Sequence, residues 1–491
     1  MLNDLCIRDV AAVIGGRLRY GALPPLGGEL EPIARIIVDS QSARAGDLYW
    51  SLPGSAGEGL LAEQAFGAGA LGAVVSGRSL EPWSGCFSIE VEDARWAMWK
   101  LAAWNRRRFG GRLISIAGTV GKTTARSMID AVLSPSLLGT HDLRSEDPEQ
   151  GALLALLDLD PDSDYALLEM SGQTPGDLQA AARLCEPQIA VLMSASPRPG
   201  QRYQFHYAGE QGVLDSLHDD GWAVLNGDDP YLRRIAEKTD ACVVWVGRNS
   251  DNDLVAEHVT SGGGKLSFVV DGQTFELNVW GRHHLNAALS AIAVGRLMGQ
   301  SDDQIAAALR GYATTPVGCQ IIDNGKWVII DDSGSSNVAA MQAAMQLLRE
   351  MRGGRRIVLC GDLEDDPTQA ERFGAEIITH CGADQLAAWG AQAETLVAAA
   401  RQAGMPQSQS GVYDSTAAAA EHLKATLGNG DVVLVKGRRT TGLLEVVKSL
   451  AAVEPPPAPR PPLIMPSLLE PFEVSPSGSI LREIDPTLPP G

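Results

Sequence analysis

The chain has 491 residues, 45% of them hydrophobic and only 5% aromatic, which describes a globular protein with aliphatic cores. At roughly 100–200 residues per domain, that length excludes a single core and suggests about three domains. A formal charge of −20 excludes the basic surface that non-specific nucleic-acid or anionic-membrane binding requires, so small molecules are the expected partners, with no nucleic acid and no membrane.

The opening MLNDLCIRDVAAVIGG lacks a basic stretch followed by an apolar run, and no segment approaches the roughly 18 apolar residues of a membrane span. Seven scattered cysteines, Cys6, Cys86, Cys185, Cys242, Cys319, Cys360 and Cys381, form neither a CxxC pair nor a metal-ligand spacing. A reducing compartment, the cytoplasm, is therefore expected. The expected state is a monomer.

Residues 31–92 alternate short apolar runs (ARIIVDS, DLYWSL, GAVVSG, CFSIEV) with Ala-rich stretches, which reads as a small α/β unit ending near Asp93. A helical pattern, ARWAMWKLAAWNRRRF, leads into the strand RLISIAG. From there to about Tyr312 the runs YALLEM, IAVLMS, WAVLNG and CVVWVG alternate with helical segments, the signature of a doubly wound parallel sheet. An antiparallel insertion is expected in KLSFVVDGQTFELNVWG, where two alternating runs flank Asp271-Gly272. After Pro316, WVIIDD, RIVLCGD, QLAAWG and VVLVKG predict four strands of a second, smaller α/β domain. From Glu454 onward the prolines exclude helix and sheet interior, predicting an extended, disordered tail.

The strand LISIAG runs into GTVGKTTARSMIDAVL, so Gly118, Thr119, Val120, Gly121, Lys122, Thr123 and Thr124 lie where a parallel strand turns into a helix. There glycines let backbone N–H groups close on a phosphate, the helix N-terminus favours negative charge, Lys122 neutralises phosphate oxygens and a Thr hydroxyl can ligate Mg²⁺. ATP and Mg²⁺ are the cofactors this pattern suggests. The spacing is shorter than the usual Walker motif, which places a further glycine where this chain has Ile116.

GTVGKTT resembles instead the GTxGKTT loop of the Mur ligases, and the resemblance covers roughly residues 30–450. It implies a three-domain α/β architecture: an N-terminal UDP-substrate domain (1–92), a central ATP-binding P-loop domain (93–313), and a C-terminal domain (314–452) that closes over the site, followed by the tail (453–491). EMSGQTPGDL resembles EMGxxxPGEI, which implies that Glu169 is the catalytic carboxylate that holds Mg²⁺ together with Thr123. LNGDDP implies that Asn226, Asp228 and Asp229 lie near the nucleotide, and GRHHLNAALSAIAVGRLMG implies adenine contacts from His283, also a catalytic candidate, and Asn286. VIIDDSGSSNVAAM resembles DDxYNANPxSM, matching Asp331, Asp332 and Asn337, with Asp332 carried to the nucleotide and Asn337 to substrate. GDLEDD and VLVKGRR resemble GDMxELG and VLVKGSR, which carries Asp362, Lys436, Gly437 and Arg439 to the face that meets substrate and nucleotide, and Ser40 of Asp39-Ser40-Gln41 falls in the uridine-binding motif.

The implied reaction is ATP-dependent addition of D-alanyl-D-alanine to a UDP-linked muramoyl tripeptide in peptidoglycan precursor synthesis, through an acyl phosphate. The departures fall on chemistry. Gln211 stands where the family has a carbamylated lysine, no His stands near Pro199 where the family has a metal ligand (His206 is the nearest), and Thr174 replaces a His. Gln41 and Cys319 each replace an arginine with a neutral side chain. Two alternatives stay open beside the ligase: a nucleotide-binding paralogue that scaffolds cell-wall proteins through the Pro-rich tail, and a ligase acting on another carboxylate.

Overall fold

The computed structural model describes residues 5–52, 58–77, 80–140, 148–172, 175–195, 208–218, 220–313, 320–334, 338–351, 353–363, 367–438 and 441–452. Four sheets follow one another along the chain. The first contains β1 (Arg17–Tyr20), β2 (Ile36–Ile37), β3 (Leu48–Trp50), β4 (Gly72–Ser76) and β5 (Phe87–Val91) in the order β1-β5-β4-β3-β2, parallel except for the β1–β5 pair.

The second sheet is formed by β6 (Arg112–Ala117), β7 (Gly139–Thr140), β8 (Tyr165–Glu169), β9 (Ile189–Leu192), β10 (Trp222–Asn226), β11 (Cys242–Gly247) and β12 (Leu254–Val255). All its pairs are parallel, in the order β12-β11-β10-β9-β6-β8-β7. The apolar runs of its central strands follow from burial on both faces. Leu113 and Ala117 of β6 join one core, while Ile114 and Ile116 join another that includes the helices Lys122–Leu133 and Leu285–Leu297. This is the expected doubly wound sheet. Strand order reverses at β6, which lies between β8 and β9, so a crevice opens beyond its carboxyl end.

The expected insertion is a third, antiparallel sheet of β13 (Glu257–Gly262), β14 (Lys265–Val270) and β15 (Gln273–Leu277). Asp271 and Gly272 join β14 to β15 with φ of 51° and 80°, the pair of positive values a type I′ hairpin turn requires. The fourth sheet holds β16 (Gln320–Asp323), β17 (Val328–Asp332), β18 (Arg356–Cys360), β19 (Gln385–Trp389), β20 (Ser410–Tyr413) and β21 (Val432–Lys436), ordered β16-β17-β21-β18-β19-β20. It has two strands more than the four expected, β16 and β20, one at each edge.

The helix Ala94–Arg108 ties the first sheet to the second. Asp93 caps it by accepting from Trp96 N at 2.9 Å, and Trp50 at the end of β3 donates Nε1 to Ala94 O at 2.8 Å. At its other end Asn105 Nδ2 reaches the carbonyls of Leu156, Leu157 and Leu159 at 2.9, 3.2 and 3.2 Å, and Arg106 binds Cys185 O and Glu186 O at 2.6 and 2.8 Å. Trp50, Leu101, Leu113 and Leu192 belong to one core that runs through both sheets. Among the described residues, no helix is long and apolar enough to cross a membrane. The segment from Glu454 onward lies outside the described residues.

Candidate functional site

The loop after β6 opens with Gly118 at φ 131°, where a Cβ would lie 2.9 Å from Ser194 N and 3.0 Å from Ser194 O. No side chain fits there. Thr119 N and Val120 N donate to Ser194 Oγ at 3.2 and 3.3 Å. Gly121, at φ 81°, then caps the helix Lys122–Leu133, whose buried Ala125, Met128, Ile129, Val132 and Leu133 fix its inner face. Its first turn, containing Lys122, Thr123 and Thr124, therefore points N–H groups and the positive end of the helix dipole into the crevice. Lys122 Nζ donates to Gly118 O at 2.9 Å and braces the loop from the other side.

Glu169 ends β8 directly beside β6, paired in register with Ile116. Thr123 Oγ1 lies 3.0 and 2.9 Å from its two carboxylate oxygens. Arg126, one helical turn beyond Lys122, brings Nε to 3.8 Å from Glu169 Oε2, and that buried Nε has no hydrogen-bond acceptor. No group of three or more His, Cys, Asp or Glu able to hold a metal occurs among the described residues. A hydroxyl and one carboxylate are nevertheless two hard oxygens, and Mg²⁺ characteristically takes one or two carboxylates and fills its shell with phosphate and water. The Thr123–Glu169 pair fits that ion.

Asn226, at the end of β10, donates Nδ2 to Met193 O at 3.3 Å, while Met193 Cε stands 3.3 Å from where a Cβ on Gly121 would be. Ser290 in the helix Leu285–Leu297 donates to Asn286 O at 2.8 Å and touches Met193 Sδ at 3.6 Å. Met193 thus links the loop to both Asn226 and the helix that carries Asn286. The two acidic neighbours hold backbone instead. Asp228 accepts from Arg248 N and Asn249 N at 2.8 and 3.0 Å, and buried Asp229 accepts from Ala195 N at 2.9 Å and Tyr231 N at 2.8 Å, capping the helix Pro230–Ala236.

His283 lies on the turn Arg282–His284 with its ring centroid 4.1 Å from that of His284. His284 is buried, its Nδ1 has no hydrogen-bond partner, and burial, reinforced by His283, pushes its pKa down to about 3. It is therefore a neutral core imidazole. Gln211 bonds Asp215 Oδ1 at 2.9 Å one helical turn away.

The other expected residues stand in the first and fourth sheets. Ser40 is buried at the start of the turn Ser40–Ser42, with its Oγ 3.4 Å from Gln64 Oε1. Asp332 and Lys436 are register partners on β17 and β21, and Lys436 Nζ lies 2.8 Å from Asp332 Oδ2. Burial pushes the Asp332 carboxyl up while Lys436 draws it down, and the balance remains above the ordinary value. On the third strand of the same row, burial raises the Cys360 thiol to about 12. Asp331 accepts from Ser333 N at 3.0 Å, and Asp362 accepts from Gln392 N at 3.0 Å. Asn337, Arg439, Cys319, Thr174, Pro199 and His206 lie outside the described residues.

The structure thus brings Gly118 through Thr124 together with Glu169, Asn226 and the Asn286 helix, and it adds two residues that sequence reasoning passed over. Arg126 was accessible, since i and i+4 share a helix face. Ser194 carries no such signal, because only the pairing of β9 with β6 sets it against the loop.

Known proteins share this fold. Residues 116–295 match the model of the Mur ligase middle domain, and residues 319–439 match that of the Mur ligase, glutamate ligase domain. The UDP-N-acetylmuramoyl-tripeptide–D-alanyl-D-alanine ligase of Escherichia coli is 28% identical over 449 residues, spanning 87% of this chain and 96% of that protein. The crystal structure of MurF from Acinetobacter baumannii superposes with a TM-score of 0.79 at 19% identity, covering 91% of this chain and 98% of that one. MurF from Thermotoga maritima in complex with ADP gives a TM-score of 0.73 at 19% identity, over 85% of this chain and 97% of that one. With both domain models matched in order, and with the phosphate loop at the sheet's switch point, the chain belongs to the Mur ligase family.

Proposed function

We propose that the protein is an ATP-dependent ligase of peptidoglycan precursor synthesis that joins D-alanyl-D-alanine to UDP-N-acetylmuramoyl-tripeptide. The observation that carries the proposal is the Thr123–Glu169 contact beneath a phosphate-cradling loop, in a chain whose relatives bear that name over nearly their whole length. The ADP held by the Thermotoga maritima protein supports ATP as the nucleotide.

Bound ATP with Mg²⁺ supplies the γ-phosphoryl group that activates the tripeptide carboxylate as an acyl phosphate, from which the dipeptide amine displaces phosphate. The chain's own residues position and neutralise. Lys122 and the first-turn N–H groups take the phosphates, and Thr123 and Glu169 offer oxygens to the metal. Asn226, His283 and Asn286 serve the base end of the nucleotide. Asp332, aligned by Lys436, meets the nucleotide from the fourth sheet, while Ser40, Asn337 and Arg439 serve the substrate. In this reading residues 1–92 bind the UDP-linked peptide, 93–313 bind ATP and 314–452 close over both, in a cytoplasmic monomer whose Pro-rich tail is free to meet cell-wall proteins.

The test is to incubate the purified protein with ATP, Mg²⁺, the UDP-linked tripeptide and D-alanyl-D-alanine, measuring phosphate and pentapeptide product together. Product formation supports the ligase. ATP binding without product would transfer support to a nucleotide-binding scaffold. Because glutamine cannot form a carbamate, Gln211 further predicts turnover that does not depend on bicarbonate.

A further inference from the structure

We infer that Ser194 is a positioning residue for nucleotide phosphates, a role that rests on the nucleotide-dependent reading above. Ser194 follows β9 and is 8% exposed. β9 lies next to β6, with Leu192 paired to Ala117, so Ser194, two residues beyond the strand, stands beside the start of the loop. Its Oγ accepts from the two consecutive amides Thr119 N and Val120 N, at 3.2 and 3.3 Å. A hydroxyl oxygen has two lone pairs and can satisfy both.

The consequence concerns direction. With Thr119 and Val120 turned towards Ser194, the chain reverses at Gly121 (φ 81°), and the helix begins at Lys122 with its first N–H groups facing the crevice. The same contact explains Gly118, whose missing Cβ leaves room for the Ser194 backbone at 2.9 and 3.0 Å. Lys122 holds the loop by its carbonyl, through Gly118 O at 2.9 Å, and Ser194 holds it by its amides. Removing the hydroxyl loosens the amide side alone. Val120 N then loses this acceptor and Thr119 N keeps only the Ser194 carbonyl, at 3.3 Å, so the loop no longer presents one fixed cradle. The effect should fall on ligands that carry phosphate and spare the nucleoside.

Calorimetry with ADP and ligand-observed NMR with adenosine test this on the full chain. Ser194→Ala should weaken ADP binding by about tenfold, the size of one or two lost hydrogen bonds, and leave adenosine binding unchanged. Ser194→Thr keeps the hydroxyl and should restore ADP binding to within about twofold. Ser194→Cys keeps the volume with a weaker acceptor, so it should lie between the two and serves as the test if alanine unfolds the protein. ADP binding indifferent to residue 194, or equal loss of ADP and adenosine, overturns the inference while the nucleotide site stands. Wild-type protein that binds neither ligand overturns the nucleotide reading and this role together.

Discussion

Lys436, with no exposed surface, forms a 2.8 Å ion pair with Asp332 across adjacent strands of the fourth sheet. A buried charge that loses its partner is left uncompensated. Lys436→Met and Asp332→Asn should therefore each destabilise this part of the chain by about 3–5 kcal/mol, and the double variant should cost much less than their sum. Denaturant unfolding of the four proteins in a cycle measures the coupling. Strictly additive losses would show that the two side chains do not depend on each other.

Lys122 supplies the loop's own cation, and hydrogen bonds to charged groups contribute about 1.5–3 kcal/mol, so Lys122→Ala should weaken ADP binding by about 10- to 100-fold. Calorimetric titration decides this, and unchanged affinity would remove the site.

Thr123 and Glu169 are proposed to serve one ion, so their effects should not add. Thr123→Val should raise the Mg²⁺ concentration for half-maximal turnover by about tenfold or more, and Glu169→Gln should do at least as much. Combining them should add little to the worse of the two. A Mg²⁺ titration of phosphate release reads all three.

His284 gives the protein an acid limb. Its pKa of about 3 lies below the ordinary 6.5, so the unfolded chain binds the extra proton and stability falls as pH drops through that window. Wild type should lose about 1.6 kcal/mol more than His284→Asn between pH 6.5 and 5, because the unfolded imidazole is half protonated at pH 6.5 and the slope reaches 1.36 kcal/mol per pH unit only below it. Urea melts at the two pH values test the difference, and parallel losses would place the titration elsewhere.

At the Asp271-Gly272 hairpin, Gly272 adopts φ 80° with open space around it, so the cost of a side chain there is conformational rather than steric. Gly272→Ala should destabilise by about 1 kcal/mol, and Gly272→Asn by less, because asparagine tolerates the left-handed region. Thermal melting ranks the two.

Every strand that sequence reading missed is a sheet edge, although it also found two edge strands, β2 and β15. β8, β9, β10, β18 and β21 lie within their sheets and are apolar runs because both faces are covered. β1, β7, β12, β13, β16 and β20 escaped it, and each is a sheet edge. An edge strand has a neighbour on one side only and is often short and polar, as in RLRY and SGVY. The phosphate loop was legible because its spacing encodes local geometry. Ser194 was not, since its role arises from strand order, and neither was the pairing of Lys436 with Asp332, which depends on β21 lying beside β17.

The helix Ala94–Arg108 bears on how this chain could be divided. Asp93 marks a clear change in sequence pattern, yet the helix that begins there is bonded to Trp50 at one end and to the carbonyls of Leu156, Leu157 and Leu159 at the other. A cut at that point would expose the apolar faces of Leu48, Trp50 and Phe87 on one fragment and of Met98 and Leu101 on the other. A change of sequence pattern therefore does not mark a break in packing. The first two sheets share one hydrophobic core, so a fragment that ends near Asp93 should be less stable than the same residues in the intact chain.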